Sequence, residues 1–335
     1  MLDAIKKYPE MCRDAVERTN GSNLPNYKFD KIIVCGMGGS AVGGELLRDL
    51  MRDQLPIPIE VSKDYHLPKY ADEKTLVFCV SYSGDTEETL SQFAEALKIK
   101  CNVICLASGG KLKEWCEKLS LPLVLLSSGL QPRAALPYLF LPMLIYLQNV
   151  GLVNLKEDLE ESIQVLNGID LKEIDNVASE IKDSFVAVYG QLLSVSRRFK
   201  NQFNENSKIP ARFDVFPELD HNEIMGYQNL ELNKSTSIIF LRDRDESEEM
   251  KARIEITRDL IRDSARNVFE IYSSGNSKLA KMLSLVYMGD YLSYRLAVLS
   301  GINPEKVENI NKLKKGLKER LNFVERLEKQ IENLK

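Results

Sequence analysis

Apolar runs closed by small or polar residues alternate along this chain with stretches patterned for helices. KIIVCG (31–36), IPIEVS (57–62), TLVFCVS (75–81), CNVICLAS (101–108) and LPLVLLSS (121–128) mostly lack the strict alternation of a strand with one wet face. Such runs read as strands buried on both faces, as in a parallel sheet. Between and after them the spacing predicts helices near Ala41–Arg52 and Thr86–Lys98, and a buried helix over Pro132–Val150. Residues 152–183 are charged and amphipathic, as a linking helical segment would be. Alternation resumes with FVAVYG (185–190), STSIIFLRD (235–243) and NVFEIYSSG (267–275), with helices predicted over Glu246–Ser264 and Asn276–Ser300. This βαβ order calls for an α/β fold, parallel sheets between helical layers. Two domains are expected, 1–152 and 153–335. Both open on a strand ending in glycine before a helix, which hints at duplication.

The tail from Pro304 to Lys335 reads as one long amphipathic helix. Leu313, Leu317, Leu321, Val324, Leu327 and Ile331 recur at spacings of three and four, the stripe of a core or subunit contact.

Composition narrows the class. The chain has 335 residues, 44% hydrophobic and 28% charged, as a globular protein of two domains would. A net charge of -4 leaves no basic footprint for nucleic acid. The longest apolar stretch, ALPYLFLPMLIYLQNVG, is broken by Pro137 and Pro142 and reads as a buried helix, so no membrane association is expected. MLDAIKKYPEM lacks the apolar region of a secretory signal, so the expected location is the cytoplasm. Cys35, Cys79 and Cys105 lie inside apolar runs and Cys12, Cys101 and Cys116 form no Cys-x-x-Cys pair. All six read as reduced structural thiols. His66 and His221 are the only histidines, which leaves no histidine-rich metal site.

Two loops carry candidate chemistry. SYSGDTEET (81–89) follows a buried run and gathers Ser81, Ser83, Gly84, Asp85 and Thr86 before a helix opened by Glu87 and Glu88. Backbone N–H groups and hydroxyls at a helix N-terminus form an anion seat, and several hydroxyls suit the oxygens of a phosphate monoester. The same residues would also make an ordinary strand–helix turn with Asp85 or Thr86 as N-cap. GMGGSAVGG (36–44) follows the first strand. A dinucleotide loop would want glycine at 36, 38 and 41; position 41 is Ala41, which is sometimes allowed, and Glu60 stands near the place of the ribose-binding acid. Compact Gly38-Gly39-Ser40, taken with the Ser81 loop, equally suits a small polar ligand at the carboxyl edge of a sheet.

Gly-Gly-Ser after the first strand and Ser-x-Ser-Gly-x-Thr after a later one resemble a sugar isomerase (SIS) domain, which binds phosphosugars. KNQFNENSKIPA (200–211), LDHNE (219–223), QPRAALPYLF (131–140) and NPEKVENINKLKK (303–315) resemble the bifunctional phosphoglucose/phosphomannose isomerase family, over essentially the whole chain. The resemblance implies two SIS-type three-layer αβα domains, a hexose 6-phosphate substrate and no cofactor or metal. Aldose–ketose isomerisation moves a proton between C1 and C2 through a cis-enediol and needs one base that accepts and returns it. By resemblance that base is Glu205, between Asn204 and Asn206. Arg133 is implied to stabilise the enediolate. His221 is implied to open the sugar ring from the partner subunit, making the protein a homodimer. Lys314 is the best match to a ring-opening lysine, with Lys312 and Lys315 close in register. Ser81, Ser83 and Thr86 are implied to hold phosphate, with Gly39 and Ser40 along the sugar. His66 is assigned to a loop without a role. A non-catalytic phosphosugar-binding regulator is the alternative, along with an isomerase of another sugar phosphate; a regulator would have no need of Glu205 and usually carries a DNA-binding helix-turn-helix and a basic face, neither of which this sequence shows.

Overall fold

The computed structural model describes residues 1–332, so the last three residues of the tail predicted over 304–335 lie outside the described residues. These form two compact units, one of Met1–Pro9 with Lys156–Lys306, the other of Glu10–Leu155 with Val307 onward.

The unit built on residues 10–155 holds five parallel strands, β1 (Lys31–Cys35), β2 (Ile59–Ser62), β3 (Thr75–Val80), β4 (Asn102–Ala107) and β5 (Leu123–Leu125), in the order 2-1-3-4-5. β3 is buried along its whole length, which explains its unbroken apolar reading. Cys35, Cys79 and Cys105 stand in register across β1, β3 and β4 as small hydrophobes. All six cysteines are free thiols, and burial pushes Cys12 up to about 12, so it stays protonated at neutral pH.

The Gly39–Met51 helix lies against the buried Leu136–Asn149 helix, and glycine makes that approach possible. A Cβ on Gly43 would stand 2.3 Å from the Leu139 carbonyl oxygen.

The tail is two helices. Glu308–Leu321 stops at Asn322, which takes the left-handed conformation (φ 44°), and Phe323–Glu332 follows. Asparagine tolerates this conformation and serves as a C-terminal stop. Leu313 and Leu321, expected in a packed stripe, are exposed, whereas Leu327 and Ile331 are buried with Leu90, Phe93 and Trp115.

The other unit has four parallel strands, β6 (Phe185–Gly190), β7 (Ala211–Val215), β8 (Thr236–Arg242) and β9 (Asn267–Tyr272), in the order 7-6-8-9. That order repeats 2-1-3-4 of the first sheet, so the duplication hinted at by the two Gly-ended strands extends to the topology. β7 escapes sequence reading because ARFDV is short, half-polar and only partly buried at the sheet edge. The charged region after Gly151 becomes helices Lys156–Gly168 and Lys172–Glu180. The 22-residue Lys278–Leu299 helix is capped by Ser277, whose Oγ accepts from the Ala280 amide at 3.2 Å.

Gly43→Ala should lower stability by about 1–3 kcal/mol, because the new methyl meets backbone rather than a movable side chain. The urea midpoint is the measure; an unchanged midpoint would show that the two helices part at no cost.

Candidate active site

In the β1–β5 unit, the loop after β3 is tied by its own hydroxyls. Ser81 is fully buried, and its Oγ donates to Thr86 Oγ1 at 2.9 Å while accepting from the Gly84 amide at 3.1 Å. Ser83 Oγ accepts from the Asp85 amide at 3.3 Å. Gly84 has a φ of 76°, and a Cβ there would stand 1.8 Å from the Gly109 oxygen, so only glycine fits. Asp85 accepts from the Lys111 amide at 2.9 Å and so ties down the neighbouring loop. Thr86 occupies the N-cap position of the Glu87–Lys98 helix without a side-chain cap bond. Tyr82 points away, donating to the Ser127 carbonyl at 2.8 Å. Hydroxyls thus gather at an uncapped helix start, which is the arrangement an anion needs. Burial, then the neighbouring Glu88, pushes the Glu87 carboxyl above its usual range.

The loop after β1 leaves the same sheet edge, with Gly36 packed against Val80 at the end of β3. Gly38 takes a φ of 53° and opens the Gly39–Met51 helix, again with no side-chain cap. Ser40 is buried in its first turn. A Cβ on Gly39 would lie 3.2 Å from the Pro132 oxygen and 3.4 Å from Arg133 Cα, so this loop and Arg133 are neighbours. Arg133 sits in a separate 3-10 turn, Pro132–Ala134, ahead of the apolar helix, and is only 3% exposed. Its burial argues against a mere surface charge. Lys312, Lys314 and Lys315 are all exposed on the Glu308–Leu321 helix of this unit. Lys315 approaches Glu319 at 3.8 Å.

In the β6–β9 unit, the Leu193–Gln202 helix widens into a π turn, Phe203–Ser207, and Glu205 sits within it, partly exposed. Single π turns recur at functional positions because they re-aim a side chain. The flanking amides fasten the turn. Asn204 donates to the Ile209 carbonyl at 2.8 Å, Asn206 to Ser293 Oγ at 3.0 Å, and Ser207 Oγ to the Ser293 carbonyl at 2.7 Å. About two turns before Glu205 lies the buried Arg198, paired with Asp290 through Nε–Oδ1 at 2.9 Å and Nη2–Oδ2 at 2.7 Å. Gln202 donates to Asp290 at 2.7 Å and Tyr8 donates to it as well. Burial opposes the Arg198 charge, but Asp290, with Tyr8 and then Glu205, holds the guanidinium above its ordinary value. Sequence reading passed over this cluster. Only Asp290 stands out in the sequence, as the lone acid in LSLVYMGDYLSYRLAVL; its partners lie far away in the chain.

His221 ends a 3-10 turn, Glu218–His221, and is exposed. Its neighbours hold the turn in place. Asp220 accepts from Thr257 Oγ1 at 2.7 Å and from Arg253 at 3.1 Å, and Glu223 accepts from Tyr189 OH at 2.6 Å. His66 is likewise tied by structure, with Nδ1 2.6 Å from Glu95 Oε1. Among the described residues no three His, Cys, Asp or Glu side chains gather as metal ligands, and no helix is long and apolar enough to cross a membrane.

The structure therefore groups Gly39, Ser40, Ser81, Ser83, Thr86, Arg133 and Lys314 in one unit, and Glu205 and His221 in the other. Two parallel α/β sheets, one with a hydroxyl-rich loop at its carboxyl edge and the other with a carboxylate on a π turn, are the frame that holds these residues. Residues 171–317 match the model of the bacterial phospho-glucose isomerase C-terminal SIS domain. A bifunctional phosphoglucose/phosphomannose isomerase of Caldicellulosiruptor bescii is 39% identical, covering 95% of this chain and 99% of that protein. A D-glucosamine-6-phosphate 4-epimerase of Sulfolobus acidocaldarius is 33% identical over 94% of this chain and 97% of that one. The fold is also that of the C-terminal domain of glucosamine-fructose-6-phosphate aminotransferase from Francisella tularensis, with TM-score 0.76 at 15% identity, covering 91% of this chain and 98% of that one. The chain belongs to the bifunctional phosphoglucose/phosphomannose isomerase family.

Asp290→Ala leaves the buried Arg198 guanidinium without its carboxylate and should cost about 3–5 kcal/mol. Tyr8→Phe removes one hydrogen bond to the same carboxylate and should cost about 1 kcal/mol. Guanidinium chloride unfolding of both variants is the check; equal losses would show that the pair is not the principal element of the cluster.

Proposed function

We propose that the protein is an aldose–ketose isomerase that interconverts glucose 6-phosphate and mannose 6-phosphate with fructose 6-phosphate. The observation that carries this reading is 39% identity to a bifunctional phosphoglucose/phosphomannose isomerase across nearly the entire chain. The sheets β1–β5 and β6–β9 would be its two SIS domains, divided near residue 152.

In this mechanism Ser81, Ser83 and Thr86 hold the phosphate, and the uncapped Glu87–Lys98 helix adds its N-terminal field. Gly39 and Ser40 border the sugar. Glu205 takes the proton from C2 of the open-chain aldose and returns it to C1. The enediolate oxygens gather negative charge, and buried Arg133 supplies a fixed cation that needs no solvent reorganisation. His221 and Lys314 serve ring opening, moving protons at O5 and O1, with His221 acting from the partner subunit of a homodimer. Exposure of His221 supports that role, since a side chain held inside its own unit could not serve another. Glucose and mannose phosphates differ only at C2, so rotation about C2–C3 lets either present its proton to one base. The route requires no metal, and the expected location is the cytoplasm.

A second reading rests on the Sulfolobus relative, whose name places its chemistry at C4 of an aminosugar phosphate. Incubation with D-glucosamine 6-phosphate and each hexose 6-phosphate separates the two; C4 inversion without aldose–ketose exchange would favour the second.

Glu205→Gln should lower turnover by about 10²–10⁴-fold, with little change in phosphosugar affinity, since the amide keeps the shape but cannot accept the proton. Retention of wild-type deuterium exchange at C2 would remove Glu205 as the base. Both aldose phosphates should be turned over at full rate in excess chelator; activity lost to chelator and restored by zinc would overturn the metal-free route.

A further inference from the structure

A cavity of about 310 Å³ opens at the carboxyl ends of β6, β8 and β9, within the unit that carries Glu205. None of the roles above uses it. Its volume is at the small end of the range for metabolite pockets. Its place on the sheet matches the place of the two loops on the first sheet, because the strand orders 7-6-8-9 and 2-1-3-4 correspond.

The loop after β8 stands where the Ser81 loop stands after β3, but its chemistry differs. The Glu246 carboxylate, 2% exposed, accepts from the Asp243 amide at 2.9 Å, from Gln191 Nε2 at 3.2 Å and from Arg242 Nη2 at 2.6 Å. The protein's own anion thus takes the donors that a phosphate would need. Arg242 is matched a second time by Glu270. Lys281 is paired with Asp243 at 3.1 Å and Asp245 at 2.5 Å, and Lys278 is engaged as well. Arg242 and Lys281, cations beside the cavity, are thus already matched by carboxylates of the chain itself.

What the cavity offers is unused hydroxyl capacity. Ser196 is fully buried and Ser273 is 7% exposed; both line the cavity, and among the described residues neither Oγ has a hydrogen-bond partner. A buried hydroxyl without a partner is uncommon in a folded protein, and a hydroxylated ligand in the cavity would supply one. The Leu193–Gln202 helix starts beside them with no side-chain cap. Val195, Leu241 and Leu285 supply apolar walls for C–H faces.

We propose that this cavity is a second ligand site for a small uncharged polyhydroxylated metabolite, an unphosphorylated sugar or polyol, whose hydroxyls bond to Ser196 and Ser273. A phosphomonoester is disfavoured there because Glu246 already fills the anion seat.

The test uses the full chain with D-fructose and inorganic phosphate as separate probes, read by ligand-observed saturation-transfer NMR. Fructose should give a saturable signal, and Ser273→Leu, which fills the cavity, should weaken it about tenfold or more. Ser83→Ala, in the phosphate loop of the other unit, should leave the fructose signal unchanged, and Ser273→Leu should leave any phosphate signal unchanged. If Ser273→Leu does not fold by circular dichroism, Ser196→Ala replaces it, with at least a threefold loss of fructose affinity expected. A purely structural serine would let Ser196→Ala raise the melting temperature without changing fructose binding, and that result overturns the proposal. Absence of a fructose signal in the folded wild-type protein, or loss of phosphate binding in Ser273→Leu, does the same. No turnover is measured, so failure of the isomerase reading would not alter the outcome.

Discussion

Parallel strands cannot be joined by a tight turn. Each connection must cross a face of the sheet, usually as a helix, so every strand delivers its carboxyl end to the same edge. That constraint fixes where chemistry can be assembled in this protein. β1 and β3 release the Gly39 and Ser81 loops side by side, with Gly36 against Val80. β6, β8 and β9 release Gly190, Asp243 and Ser273 around one cavity. In both units the helix after the first strand begins without a side-chain cap, leaving backbone donors at that edge.

The two sheets use this shared plan differently. In the first, hydroxyls bond to one another across the β3 loop through Ser81 and Thr86, neutral groups that can turn toward an incoming anion. In the second, the corresponding loop is closed by the buried Arg242–Glu246 pair. Elsewhere in that unit Glu161 accepts from the amides of Asn276 and Ser277 at 2.7 and 2.9 Å, so the start of the Lys278–Leu299 helix also carries a carboxylate of the chain itself. The carboxylate assigned to proton transfer lies apart from these, on a π turn fastened by Asn204, Asn206 and Ser207. The turn can present Glu205 to solvent because its neighbours, and the Arg198–Asp290 pair behind it, bear the packing.

Much of the fold was legible because strands buried on both faces announce themselves. TLVFCV and TSIIFLR are apolar or nearly so throughout, and each is buried along its length. β7 was missed because an edge strand of mixed polarity carries no such mark. The tail was read as one helix because periodicity survives the break at Asn322, and only the backbone reveals the left-handed residue. Of the candidate site, the residues of the hydroxyl loop could be named from local sequence. The Arg198–Asp290–Tyr8 cluster could not, since its members are far apart in the chain and meet only through tertiary packing. The burial of Arg133 was equally hidden, because QPRAALPY gives no sign that a separate turn precedes the helix and buries the arginine.

The short final helix has a consequence for how the chain tolerates loss. Its hold on the unit rests on Leu327 and Ile331, supplemented by ion pairs from Lys111 to Glu328 and Lys118 to Glu332, both at 3.2 Å. Partly exposed pairs of this kind add little. Clipping the chain at Asn322 would therefore remove a lid from the oily surface formed by Leu90, Phe93 and Trp115, and that uncovered surface would draw shortened molecules together in solution.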